Sequence, residues 1–163
     1  MMPKDRIRDP MRNTMTNLRF VEEHAESDGL YEVTQLINSF LAALAHPWEE
    51  YKDQLNEMSI QEAVKEGWPK LKKERASDKN PKNLGDLIKL VRNGFAHGNI
   101  EFRSDGGNEI THLRFWNIDP YAKPKKRTWG TIASVEDMRL FLFKFVELAE
   151  TLTDEDVESR RTA

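Results

Sequence analysis

No cysteine occurs in the 163 residues. That excludes a disulfide framework, a thiolate zinc site and a thiol nucleophile. It also suits a reducing compartment, so the expected location is cytoplasmic. A long apolar run is missing too. The greasiest segment, "LINSFLAALA" from Leu36 to Ala45, is too short and too interrupted to span a bilayer, so no membrane association is expected. The opening stretch "MMPKDRIRDPMRNT" lacks an apolar core and does not read as a secretory signal. Positive charge is not in excess: 25 Lys and Arg face 28 Asp and Glu, a formal net charge of −3. A polycation that coats nucleic acid is therefore excluded, and any phosphate contact must come from a local patch. There is no internal repeat, no low-complexity tract, no phosphate-cradling glycine loop and no nucleophile elbow. His24, His46, His97 and His112 show no HExxH or i,i+4 pairing, so no metal site is expected.

What is present is a 38% hydrophobic, 33% charged chain of the size of one folded domain. The expected unit is residues 1–163, with an ordered core over about 10–152 and a frayed tail over about 154–163. Met11, Met15, Leu18 and Val21 recur at helical spacing and predict a first helix from about Pro10 to Ala25. "ESDGL" breaks it, with Asp28 as a cap for the next helix. Leu30, Val33, Leu36, Ile37, Phe40, Leu41 and Leu44 draw the stripe of that second helix, which Pro47 is expected to end or kink. His24 falls at a helix end, and His46 reads as a cap before Pro47.

Ser59 and Glu62 have capping-box spacing before a short helix. "KEGWPKLKKERASDKNPKN" then reads as a flexible polar loop. Asn83 opens a further helix with Leu84, Leu87, Ile88, Val91 and Phe95 inward. After Gly98 the period changes to two, and "NIEFR" and "EITHLRFWN" around "SDGGN" predict a β-hairpin. A basic loop, "YAKPKKRTWG", leads to Ser134, a cap for the last helix with Val135, Met138, Phe141, Leu142, Phe145, Ala149 and Leu152. The expected fold is mainly α: a bundle of four main helices with a short extra helix and a β-hairpin insert before the last.

One stretch carries chemistry. "LVRNGFAHGNIEF" ends an apolar helix in Arg92, Asn93 and His97. Asn93 and His97 are four apart and share a face, while Arg92 and His97 are offset by about 140°. An imidazole titrates near neutrality, so His97 can serve as general acid or base. A guanidinium fork can hold phosphate oxygens as charge builds, and Asn93 can orient either group. A helix C-terminus favours imidazolium, which tilts His97 toward the acid role. Together these permit cleavage of an RNA phosphodiester without a metal. The same residues also describe an ordinary helix end: a histidine settled by the helix dipole, an exposed arginine, and Gly98 as a C′ glycine. Gly94 fits that plainer reading less easily, since a mid-helix glycine costs about 1 kcal/mol against alanine. Close packing explains it, with an approaching dimer partner as one source.

Arg92-Asn93-Gly94-Phe95-Ala96-His97 resembles the R-x(4–6)-H motif of the HEPN superfamily. An Asn directly after the Arg is a frequent form of that motif. Its place near the end of the third major helix, and the continuation through Trp116, is similar to a stand-alone bacterial or plasmid-borne branch. The resemblance implies a composite, metal-independent RNase site shared by two protomers, no cofactor, and a toxin or defence setting with an antitoxin or other regulatory partner. It implies catalytic roles for Arg92, Asn93 and His97. Some members keep the fold without cleavage, so a non-catalytic dimerisation or nucleotide-binding or RNA-binding module is the alternative. In the basic loop, Lys123, Lys125, Lys126 and Arg127 between Tyr121 and Trp129 suit single-stranded RNA, through phosphate contacts and base stacking. His112 is a further residue that could face the cleft.

Overall fold

The chain order is α1 (Arg8–Asp28), α2 (Glu32–Glu57), α3 (Ile60–Lys65), α4 (Leu84–Ala96), β1 (Ile100–Arg103), β2 (His112–Asp119), β3 (Lys126–Ser134) and α5 (Val135–Thr151). This computed structural model describes residues 8–28, 32–106 and 109–152. The fold is mainly helical, with a small antiparallel sheet of order β1-β2-β3 before the last helix. The tail beyond Leu152 and Leu30 lie outside the described residues, as does the side chain of Asp28.

The apolar stripes largely bury as their spacing requires, although Leu41, expected in the stripe of α2, is exposed. Met11, Met15 and Leu18 of α1, Leu36, Phe40 and Leu44 of α2, and Met138, Phe141, Leu142 and Phe145 of α5 are all buried. Local chemistry sets the helix starts. Ser59 and Glu62 complete a reciprocal capping box, with Glu62 N donating to Ser59 Oγ at 3.2 Å and Ser59 N donating to Glu62 Oε2 at 2.9 Å. Asn83 Oδ1 accepts from Asp86 N at 2.8 Å, and Ser134 Oγ accepts from Asp137 N at 3.0 Å.

Three expectations need correction. First, α1 continues to Asp28, and α2 runs through Pro47 to Glu57 rather than ending there. Proline removes one helical hydrogen bond, but Tyr51 and Leu55 beyond it are buried and anchor the second half. Second, the expected hairpin forms as β1 and β2, but a further strand, β3, extends it to a three-stranded sheet. Leu113 pairs with Ala133 and Phe115 with Thr131, so "KRTWGTIAS" is a strand whose Trp129, Thr131 and Ala133 alternate inward.

Third, the connection from α3 to α4 is not loose. It is laced to the β3 edge: Glu74 N donates to Gly130 O at 2.8 Å, Lys79 N to Thr128 O at 2.8 Å, and Thr131 Oγ1 to Lys72 O at 2.7 Å. This covers backbone groups that an edge strand otherwise leaves open.

Aromatic rings join the layers. Phe40 of α2 stacks on Phe95 of α4 at 5.0 Å, Phe95 meets Phe115 of β2 at 5.1 Å, and Phe115 meets Trp129 of β3 at 5.9 Å. α4 is thereby wedged between α2 and the sheet, and among the described residues one of its faces is left for solvent.

Candidate active site

The open face of α4 carries Lys89, Arg92, Asn93, Ala96 and His97, while Leu84, Leu87, Ile88, Val91 and Phe95 fill the core. Lys89 was not anticipated as part of this face, although its spacing of three to Arg92 and four to Asn93 signals it.

The helix ends sharply beneath this face. His97 is the C-cap residue, with φ −96° and ψ 6°. Gly98 follows at φ +66°, a left-handed conformation that a side chain disfavours. Gly98 N donates to Phe95 O at 3.1 Å and Asn99 N to Gly94 O at 2.9 Å, the paired bonds of a Schellman C-cap. Asn99 O then accepts from Trp116 N at 3.1 Å, which ties the helix end to β2. The His97 backbone is therefore fixed, whereas its imidazole is exposed and has no side-chain partner among the described residues.

Gly94 is accounted for within the chain. A Cβ there would stand 3.3 Å from the Trp116 carbonyl and 3.4 Å from Phe115 Cδ2. The element that approaches is β2, so no dimer partner is needed to explain the glycine.

Arg92 has a different environment. Its guanidinium carbon lies 5.3 Å from the centroid of Trp48, and Nη1 lies 3.7 Å from Glu49 Oε1, both on α2. Neither α2 residue was anticipated from sequence. Asn93 is half-buried and makes no side-chain hydrogen bond among the described residues. The helix thus brings Arg92, Asn93 and His97 to one end of one element.

The basic loop splits in two. Tyr121 is 90% exposed, and Lys123, Lys125 and Lys126 are exposed around it. Trp129, expected to stack on bases, is instead fully buried beside Phe115, so it offers no stacking face. Arg127 is also taken: its Nε and Nη2 donate to Asp78 at 3.1 and 2.7 Å, and Nη1 lies 2.6 Å from Glu74 Oε2. The exposed part sits at the α4 end of the sheet. Ile100 pairs with Phe115 and Arg103 with His112, so β2 returns toward the helix end and continues past Trp116 to Asp119, about 10 Å further.

The other histidines are engaged elsewhere. His112 Nδ1 is 3.0 Å from Thr111 Oγ1 and 3.8 Å from Asp105 Oδ1, and His24 Nδ1 is 2.8 Å from the Phe20 carbonyl. The side chain of His46 lies outside the described residues, although its backbone is inside α2. Among the described residues, no group of three or more His, Asp or Glu could hold a metal ion, and no helix is long and apolar enough to cross a membrane.

A family model described as HEPN pEK499 p136 matches residues 2–156. The chain belongs to this plasmid-associated HEPN family. No curated protein and no solved structure matches it. HEPN membership, together with Arg92-Asn93 and His97 at the end of α4, gives this polar face its candidate role.

Proposed function

We propose that this HEPN protein is a metal-independent RNA endonuclease that works as a homodimer. The carrying observation is His97: a rigid backbone position with an open imidazole, on the same helix end as Arg92. In the proposed reaction the ribose 2′-oxygen attacks phosphorus, its proton passes to an imidazole, and the bond from phosphorus to the 5′-oxygen breaks. A protonated imidazole delivers a proton to that leaving oxygen. One His97 per chain supplies one of these roles, so a second copy of the chain supplies the other. Arg92 neutralises the charge building on the phosphate oxygens, and Asn93 orients the ribose or the imidazole. The products are a 2′,3′-cyclic phosphate and a 5′-hydroxyl.

Tyr121, Lys123, Lys125 and Lys126 extend the RNA path from the site by stacking and phosphate contact. A toxin or defence role restrained by an antitoxin or regulatory protein follows from the same reading. The test is cleavage of labelled single-stranded RNA in excess EDTA by the wild-type protein and His97→Ala. Cutting that survives the chelator and falls about 10²- to 10⁴-fold in the variant supports the reading. No cutting across a panel including transfer and messenger RNA favours a non-catalytic binding module, and equal cutting by both proteins removes His97 from the site.

A further inference from the structure

Trp48 is held across α4 by its own hydrogen bond, Nε1 donating to the Gly85 carbonyl at 3.1 Å. Gly85 lies two turns before Arg92 on the same face, so the indole plane is fixed relative to the helix that carries the guanidinium. Arg92 sits over that plane at 5.3 Å, with Lys89 Nζ at 6.0 Å from the same ring, both within cation–π range.

The guanidinium is nevertheless unsatisfied. Its side chain is 28% exposed and Nε is buried without a hydrogen-bond partner. Glu49 Oε1 at 3.7 Å from Nη1 is too distant for a hydrogen bond and contributes only charge attraction. Arg127 also has one buried nitrogen, Nη1, without a hydrogen bond, so what sets Arg92 apart is that no carboxylate among the described residues is hydrogen-bonded to its guanidinium. Arg127 and Arg114 are each hydrogen-bonded to carboxylates at 2.7–3.1 Å and 2.9 Å. Arg92 is partly desolvated, packed over the indole, and left without a carboxylate hydrogen bond, which suits an oxyanion more than a structural ion pair.

We propose that Trp48 and Glu49 are positioning residues for Arg92: the indole sets the guanidinium plane, and the carboxylate is a loose counter-ion that an RNA phosphate displaces. This rests on the RNase reading above and adds the residues that prepare its phosphate-binding group. Glu49 competes with substrate, so its removal tightens substrate binding. Trp48 acts on the geometry at the reacting phosphate, so its loss lowers turnover.

The test uses the full-length chain and has two independent readouts. In the first, kcat and KM for a labelled RNA are measured for wild type, Trp48→Leu, Trp48→Phe and Glu49→Gln, with thermal melting of each. The expected results are a fall in kcat of about 2- to 30-fold in Trp48→Leu, partial rescue in Trp48→Phe, and a KM lowered about 2- to 5-fold in Glu49→Gln. In the second, the Arg92 Nε–H resonance is followed by NMR during titration with inorganic phosphate. This reads the positioning even if no RNA is cut. Phosphate should move that resonance, at lower concentration in Glu49→Gln and at higher concentration in Trp48→Leu. If phosphate leaves the resonance unmoved, or if Trp48→Leu lowers only the melting temperature while kcat and phosphate affinity hold, the proposal is overturned.

Discussion

The carboxylate of Asp78, with 2% side-chain exposure, receives two hydrogen bonds from Arg127, from Nε at 3.1 Å and from Nη2 at 2.7 Å. The pair joins the connection before α4 to β3 across 49 residues of chain. Arg127 also approaches Glu74, which accepts from Arg114 of β2 at 2.9 Å, and Arg114 reaches Glu101 of β1 at 2.9 Å. A chain of alternating charges therefore runs over all three strands and fastens the strap to the sheet. Asp78→Ala removes both hydrogen bonds that Arg127 donates to Asp78 and leaves Glu74 as its carboxylate partner. Glu74 remains beside the guanidinium, so the expected loss is about 1.5–3 kcal/mol, that of the charged hydrogen bonds removed. Urea unfolding measures it, and a loss below about 1 kcal/mol would show the strap to be dispensable.

The same network sets an acid limit. Burial pushes the Glu74 carboxyl up, but hydrogen bonds from Arg127 and Arg114 outweigh it and hold the group below its ordinary value near 4.5. A carboxyl depressed in the folded state contributes stability that is complete above the unfolded value. That stability is lost as pH falls through the folded value. The wild-type protein should therefore weaken progressively below about pH 4.5. Glu74→Gln should be less stable at neutral pH and decline less steeply there. Urea midpoints for both proteins between pH 7 and pH 3 check this, and parallel acid limbs would contradict it.

Gly94→Ala tests the packing of the site helix. In an open helix this change gains about 1 kcal/mol. Here the new Cβ meets the Trp116 carbonyl at 3.3 Å, and that backbone is fixed by the Asn99 bond and the sheet. The expected outcome is no net gain for alanine and a clear loss for Gly94→Val, read by thermal melting. A full 1 kcal/mol gain for alanine would mean that β2 yields easily.

Tyr121 and Trp129 should separate cleanly. Trp129→Ala opens a cavity in the core and should cost about 3–5 kcal/mol of stability. Tyr121→Ala should leave the melting temperature unchanged and weaken single-stranded RNA binding by about 1–3 kcal/mol, the usual worth of one base stack. Filter binding and melting curves on the two variants decide it. Unchanged RNA affinity in Tyr121→Ala would remove the β2–β3 turn from the RNA path.

The helices, their caps and the place of the motif could be read from the sequence because each depends on residues a turn or less apart. Ser59 with Glu62, Asn83 with Asp86, and the stripe from Leu84 to Phe95 carry their own instructions. Arg92, Asn93 and His97 could be placed on one helix end for the same reason. β3 also had a signal in the alternation of Trp129, Thr131 and Ala133, obscured by the lysines before it and by Gly130. Tertiary structure alone decided which charges of the basic segment are spent and which are free. Arg127 and Lys126 are neighbours in sequence, yet only Arg127 finds Asp78, because the strap returns from far away to meet it. Trp48 and Arg92 likewise meet only when α2 packs on α4. Periodicity and capping act through bonds a few residues long, whereas partners for a fixed charge or an aromatic face are supplied by whichever distant segment the packed core brings alongside.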